Sequence, residues 1–300
     1  MAGRCNDRPP CTGNRTRVRF ATARHAIDSE SWNTVLHASM SQFREKGYQI
    51  FRNVIPSELV DTLHCLLASE VAGILARLSQ IGVKPDIATA AHDIGMWLGS
   101  PRANELDQET RVLMTGHFPT ELRLSKIFWD IPRTPALQDI LKTALGSDRL
   151  RMHMPPMARY ILPNNLEAGV PAHQDASYND HMNGFVTAWM PLVAIDEQCG
   201  GVTIFEGRKD GVIPAPKQVQ NGVWTEAVSV DGLRPVNCVP MAPGDILIFN
   251  PYIVHASMPN LSDRIRFSLD CRFFGSDAET SKHYLDMTTW SIVTPNSLER

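Results

Sequence analysis

The sequence predicts a mainly β fold, a core of the sandwich or jelly-roll kind with helices packed outside it. Three observations carry this. The first half of the 300 residues holds long stretches whose apolar residues recur at helical spacing. From about residue 147 the texture changes to short runs rich in β-branched and aromatic residues. Turn signals stand between those runs: Pro163-Asn164-Asn165, Asn183-Gly184, Gly200-Gly201 and Ala242-Pro243-Gly244-Asp245. Many short strands at such spacing point to a sandwich or jelly roll. Helices that precede the strands, rather than alternate with them, point to an outer layer on one β core.

Residues 1–27 read as a disordered basic tail. Arg4, Arg8, Arg15, Arg17, Arg19 and Arg24 face a single acid, Asp7, and Pro9-Pro10 blocks a helix. A transit peptide is the alternative, but no amphipathic stripe is evident. Residues 28–45 follow as a helix with Val35, Met40 and Phe43 on one side and Gly47 at its C-cap. Residues 48–54 then read as a strand. Pro56-Ser57 opens a longer helix, with Ser57 as its cap and Leu59, Leu63, Leu66, Leu67, Val71, Ile74 and Leu78 along one face. That stripe reads as core.

Residues 83–133 mix Gly, Pro and polar residues with the patches Met96-Trp97-Leu98 and Phe128-Trp129. They are expected to cover a substrate, with a partly helical surface excursion as the alternative. A short helix spans 135–145 and stops at Gly146. Strands are predicted over 149–153, 157–162, 185–192, 202–205, 236–239, 245–249 and 265–274. Residues 28–300 are thus expected to form one domain: a helical part to 146, a β core over about 147–275 and a C-terminal extension over 276–300.

A net charge of −3 leaves no electrostatic footprint for nucleic acid. No uninterrupted apolar run of 18 residues is seen, so no membrane span is expected. No apolar h-region follows the basic start, and Ser297-Leu298-Glu299-Arg300 is no peroxisomal tripeptide, so a cytoplasmic location is expected. The six cysteines are scattered without a Cys-x-x-Cys pair and read as thiols in a reducing compartment. Whether the chain forms a homo-oligomer is not legible.

Chemistry enters at Pro171-Ala172-His173-Gln174-Asp175. On a strand, His173 and Asp175 would project from the same face. With His255 they would make two imidazoles and one carboxylate, the facial arrangement of non-haem Fe(II) oxygenases. The His-x-Asp spacing is weak alone, since roughly one such match is expected by chance in a chain of this composition. Its surroundings strengthen it. Arg264 and Arg266 lie a short way past His255. A planar guanidinium there can grip the far carboxylate of a 2-oxo acid whose other end chelates iron. Thr187 and Trp189 alternate onto one face of the 185–192 strand and could wall such a pocket.

Several ordered segments resemble the phytanoyl-CoA dioxygenase family of Fe(II)- and 2-oxoglutarate-dependent oxygenases. They are Gly47-Tyr48 with Phe51-Arg52-Asn53-Val54-Ile55-Pro56, then His173-Gln174-Asp175, then Trp189-Met190-Pro191-Leu192 and Gly200-Gly201-Val202. Ala242-Pro243-Gly244-Asp245-Ile246-Leu247-Ile248-Phe249 leads on to His255, Ser257, Asn260 and Arg266. The resemblance covers roughly residues 40–275. Where the family often has Gly-Ser-His after its central strand, this chain has Gly207-Arg208-Lys209.

The resemblance implies a double-stranded β-helix, a cupin-like jelly roll. It implies iron ligands His173, Asp175 and His255, and 2-oxoglutarate held by Arg266, with Arg264 as the alternative. Gln174, Trp189 and Ser257 match positions that contact the cosubstrate, and Lys126 or Arg123 would add a contact from the preceding segment. The implied reaction consumes O2 and 2-oxoglutarate, releases succinate and CO2, and hydroxylates a C–H bond. Halogenating relatives lack the carboxylate that Asp175 supplies. Met157, Trp97, Phe128 and Lys126 are pocket candidates, with Met96 and Trp129 beside them. Their apolar character leans toward a secondary-metabolite or lipid-like small molecule. A jelly-roll binding protein without turnover and a metalloenzyme independent of 2-oxoglutarate are the alternatives.

Overall fold

A computed structural model of the chain describes residues 29–177, 179, 182–207, 210–214, 219–220, 223–224 and 227–295. The basic tail expected over 1–27 lies outside the described residues.

Helix α1 (Ser29–Lys46) ends where Gly47 takes a φ of 81° and donates its N–H to the Phe43 carbonyl. Strand β1 (Tyr48–Phe51) follows and is shorter than predicted, because Asn53 turns the chain with a φ of 54°. Helix α2 (Ser57–Leu78) starts on Pro56 rather than on a Ser57 cap. Its buried face is Val60, Leu63, Leu67, Val71, Ile74, Leu75 and Leu78. With the turn that follows, Ser57–Ile81 is long and apolar enough by length and composition to cross a membrane, contrary to the sequence expectation. Here its apolar stripe is packed into the core.

The segment 83–133 is largely helical, and its Thr115 and His117 line the cavity described below. It folds into α3 (Ile87–Leu98), α4 (Gln108–Met114), α5 (Thr120–Arg123) and α6 (Ile127–Asp130). Asp86 and Asp107 cap the first two by accepting the N–H of Thr89 and Thr110. Ala90, Ile94, Leu98, Leu113, Met114 and Phe128 are buried among the residues of α2 and the sheet. Helix α7 (Pro135–Leu145) closes the helical layer and is capped by Gly146 in the left-handed region.

The strands are β2 (Leu150–His153), β3 (Met157–Ile161), β4 (Phe185–Pro191), β5 (Val202–Glu206), β6 (Val219–Gln220) and β7 (Val223–Trp224). They continue with β8 (Arg234–Asn237), β9 (Ile246–Phe249), β10 (Val254–Ser257), β11 (Arg266–Gly275), β12 (Tyr284–Asp286) and β13 (Ser291–Val293). The large sheet runs β1-β9-β4-β11-β2-β12-β13, with β3 also paired to β11. The small sheet runs β10-β5-β8, and β6 pairs with β7. All these pairings are antiparallel. The C-terminal extension therefore supplies two strands, and the helical part supplies β1.

Alternation along β11 sorts its two faces. Phe267, Leu269, Cys271 and Phe273 join the core shared with the helices, against which α7 packs. Arg266, Ser268, Asp270 and Arg272 point the other way, into a cavity. The same alternation sends Val186, Ala188 and Met190 of β4 to the helices, and Thr187 and Trp189 inward. A second apolar cluster fills the rest of the space between the sheets, with Trp189, Leu247 and Phe249 meeting Ile195, Ile204 and Met241. Asp245 fastens this end of the molecule. It accepts from the N–H groups of Asn53 (2.9 Å) and Ala242 (2.9 Å) and pairs with Arg52 (2.7 Å).

Candidate metal centre

His173 and Asp175 do not share a strand face. His173 forms a single antiparallel bridge to His255, each N–H donating to the other's carbonyl at 2.9 Å. Asp175 begins a 3-10 turn, Asp175–Ser177. The bridge sets the two imidazoles side by side, with ring centroids 4.1 Å apart and the rings tilted by 50°. The turn swings the carboxylate beside them, leaving its Oδ1 3.9 Å from Nε2 of His173. One ligand atom from each of the three residues lies within 4.8 Å of the others, and all three are buried.

Both rings are oriented by backbone carbonyls. Nδ1 of His173 lies 2.8 Å from the Pro171 carbonyl, and Nδ1 of His255 lies 3.0 Å from that of Ile253. A carbonyl only accepts, so each Nδ1 carries a proton and Nε2 is the ring nitrogen turned to the site. Burial, then the neighbouring His255, pushes His173 down to about 3. Burial alone would raise Asp175, but Arg272 and the two histidines override it and hold the carboxyl well below its usual range. Arg272 donates to its Oδ1 at 2.9 Å and Thr187 to its Oδ2. Two imidazoles with Nε2 turned inward and an ionised carboxylate, buried and pre-oriented, form a donor set that fits iron.

The cluster opens into a cavity of about 250 Å3. Arg266 lies on its wall, 3% exposed, its Nη1 donating to the Met258 carbonyl at 2.9 Å and its Nε sealed without a partner. Burial, then Arg159, lowers it to about 10, which leaves it charged at neutral pH. Ser257, Ser268 and Trp189 line the same cavity. Gly200 makes room for the guanidinium. At a φ of 71°, a Cβ there would sit 2.3 Å from the Pro259 carbonyl and 3.1 Å from Nη1 of Arg266.

Other sequence candidates lie elsewhere. Arg264 is on the surface, paired with Asp196 at 2.8 Å. Gln174 is buried but faces away from the cavity, its amide spent on the backbone of Gly211, Tyr252 and Ile213. Of the pocket candidates Met157 lines the cavity. Trp97 packs on the helical core under Arg102, and Phe128 is fully buried there. Met96 is exposed, and Trp129 packs against the same core. Lys126 is exposed and paired with Asp130 at 3.0 Å. Arg123 bonds the carbonyls of Phe118 and Pro156 outside the cavity.

Sequence reasoning missed Thr115, His117, Arg159, Ser268, Asp270 and Arg272, which line the cavity. The last three were within reach. Arg266-Phe267-Ser268-Leu269-Asp270-Cys271-Arg272 alternates polar and apolar without a break, which marks one wet face along a strand.

Residues 43–268 match the family described as phytanoyl-CoA dioxygenase (PhyH). The chain belongs to the phytanoyl-CoA dioxygenase family. Among curated relatives it is 31% identical over 132 residues to the 1-deoxypentalenic acid 11-beta-hydroxylase of Streptomyces arenae, a stretch of 40% of this chain and 45% of that protein. The match thus spans less than half the length of that relative. A probable phytanoyl-CoA dioxygenase of Caenorhabditis elegans is 23% identical over 266 residues, 84% of this chain and 79% of that one. Two solved structures share the fold. The non-haem monooxygenase ThoJ has a TM-score of 0.54 at 18% identity, over 81% of this chain and 79% of that chain. The epimerase SnoN, in complex with Fe3+, α-ketoglutarate and nogalamycin RO, has 0.53 at 17% identity, over 83% and 86%.

Proposed function

We propose that this member of the phytanoyl-CoA dioxygenase family is an Fe(II)/2-oxoglutarate-dependent dioxygenase. It hydroxylates a C–H bond of a small-molecule intermediate of secondary metabolism and releases succinate and CO2. The observation that carries the reading is the convergence of His173, Asp175 and His255 on one cavity that also holds the buried Arg266. The named activity of the Streptomyces arenae relative, hydroxylation of 1-deoxypentalenic acid, supports the reaction type and substrate class.

His173, Asp175 and His255 would hold the metal. The chemistry that ferrous iron supplies there when bound is the coupling of 2-oxoglutarate decarboxylation to transfer of one O2-derived oxygen atom into the C–H bond. Arg266 binds the far carboxylate of 2-oxoglutarate, with Ser257 and Ser268 beside it and Trp189 as a wall. Arg272 and Thr187 keep Asp175 ionised and fixed. The enclosing sheets limit water around the reacting groups.

The test is anaerobic titration of the metal-free protein with Fe(II) and 2-oxoglutarate. A weak visible charge-transfer band of the chelated 2-oxo acid is expected, and it should vanish in His173→Ala. Iron binding without the band would overturn the 2-oxoglutarate assignment in favour of another metalloenzyme. Loss of all metal binding would leave a binding protein.

A further inference from the structure

We propose that Arg159 is the docking residue for the molecule being oxidised, and that this molecule is an apolar carboxylic acid. The inference rests on the oxygenase reading above and names the substrate class of that site.

Arg159 stands on β3 directly across from Ser268 of β11, on the cavity wall. Its Nη2 is held by the carbonyls of Thr115 (3.1 Å) and Ala168 (2.6 Å), and its Nε is sealed without a partner. Carbonyls orient a guanidinium but do not neutralise it. Among the described residues no carboxylate lies within 4.0 Å of Arg159. Asp175 is bonded to Arg272 at 2.9 Å, and Asp270 lies 3.8 Å from Arg272. Glu167, also on the wall, is not paired with Arg159 either. Asp270 offsets part of the charge of Arg159 through space, but an enclosed cation with no carboxylate in contact is still costly, and a bound anion lowers the cost.

Neither end of 2-oxoglutarate is available for this, since one carboxylate goes to Arg266 and the other chelates the metal. His117, bridged to Arg159 through the backbone, is kept neutral by burial and by Arg159 and adds no second positive charge. Both hydrogens of Nη2 are spent on carbonyls and Nε is sealed, so Nη1 is the nitrogen left to meet a ligand, and one nitrogen suits a monoanion better than a phosphate. Met157, Ile161, Val170 and Phe249 give the wall an apolar part. Together these features describe an acid with a hydrocarbon body.

The experiment uses aliphatic and cyclohexane monocarboxylates as probes, each with its matched primary alcohol. Binding is measured calorimetrically to metal-free protein and to the anaerobic Fe(II)·2-oxoglutarate complex. At least one acid should bind about tenfold more tightly than its alcohol. Arg159→Gln should erase that preference while leaving the 2-oxoglutarate charge-transfer titration within about threefold of wild type. Arg266→Gln should do the reverse. Gln can still donate to one of the two carbonyls, and a melting curve shows whether it folds. Should it not, Arg159→Lys, which keeps the charge without the planar guanidinium, takes its place with a partial loss expected. Acids and alcohols that bind alike, no acid that binds, or an acid preference surviving Arg159→Gln would each overturn the proposal. So would loss of 2-oxoglutarate affinity in that variant, which would give Arg159 to the cosubstrate. If wild type shows no band, the oxygenase reading fails, while acid binding to metal-free protein still decides the role of Arg159.

Discussion

Arg264 and Arg266 are two positions apart and chemically identical, yet the fold gives them opposite surroundings. Arg266 is the first residue of β11 and turns inward, whereas Arg264 precedes the strand and pairs with Asp196 on the surface. Arg266→Lys should therefore weaken 2-oxoglutarate about 10- to 100-fold in the charge-transfer titration, because an ammonium cannot form the two-pronged contact. Arg264→Met should leave that titration unchanged. Arg272 acts through Asp175 and is a positioning residue. Arg272→Met should lower iron affinity about 10- to 100-fold, read by competition with a chelator. The spectrum of whatever complex still forms should be that of the wild type.

Among the elements, α3 to α6 depart furthest from expectation. Their sequence carries Gly and Pro breaks and no long stripe, so a covering loop was the natural reading. The caps at Asp86 and Asp107 were legible, but the burial of Ile94, Leu98 and Phe128 depends on partners in α2 and the sheet that are distant in sequence. Ile94→Ala should destabilise the protein by about 2–5 kcal/mol in denaturant unfolding, the cost of a cavity in the core. The strands were easier to read. Turn signals and alternation placed β2, β3, β4, β5, β9 and β11 to within a residue or two, because pleating and turn chemistry are local. Strand β10 was missed: Val254-His255-Ala256-Ser257 alternates over four residues only, and its place is set by pairing with β5. The same limit explains the metal site. Its three ligands were legible from spacing and resemblance, but the bridge and turn that bring them together are tertiary.

Taken as a whole, the molecule couples its ligands to its stability. Burial keeps His173 and His117 neutral in the folded state, with His173 pushed down to about 3. Below about pH 6.5 an unfolded chain protonates both rings while the folded one resists, so the unfolded state binds more protons. Stability should fall as pH drops from about 6.5 toward 3, and melting temperatures across that range would show it. Iron should oppose the loss. At about one hundred times its Kd it adds roughly 2.7 kcal/mol, which should raise Tm by roughly 5 °C, and a chelator should reverse the shift. Strand β11 bears on how such a protein can vary over generations. One face of it is the hydrophobic seam and the other the wall of the reaction chamber. A substitution alters one face at a time, but gaining or losing a single residue exchanges both faces. Length variation among descendants of this chain should therefore skip 266–275, and a deletion scan should find that interval intolerant throughout.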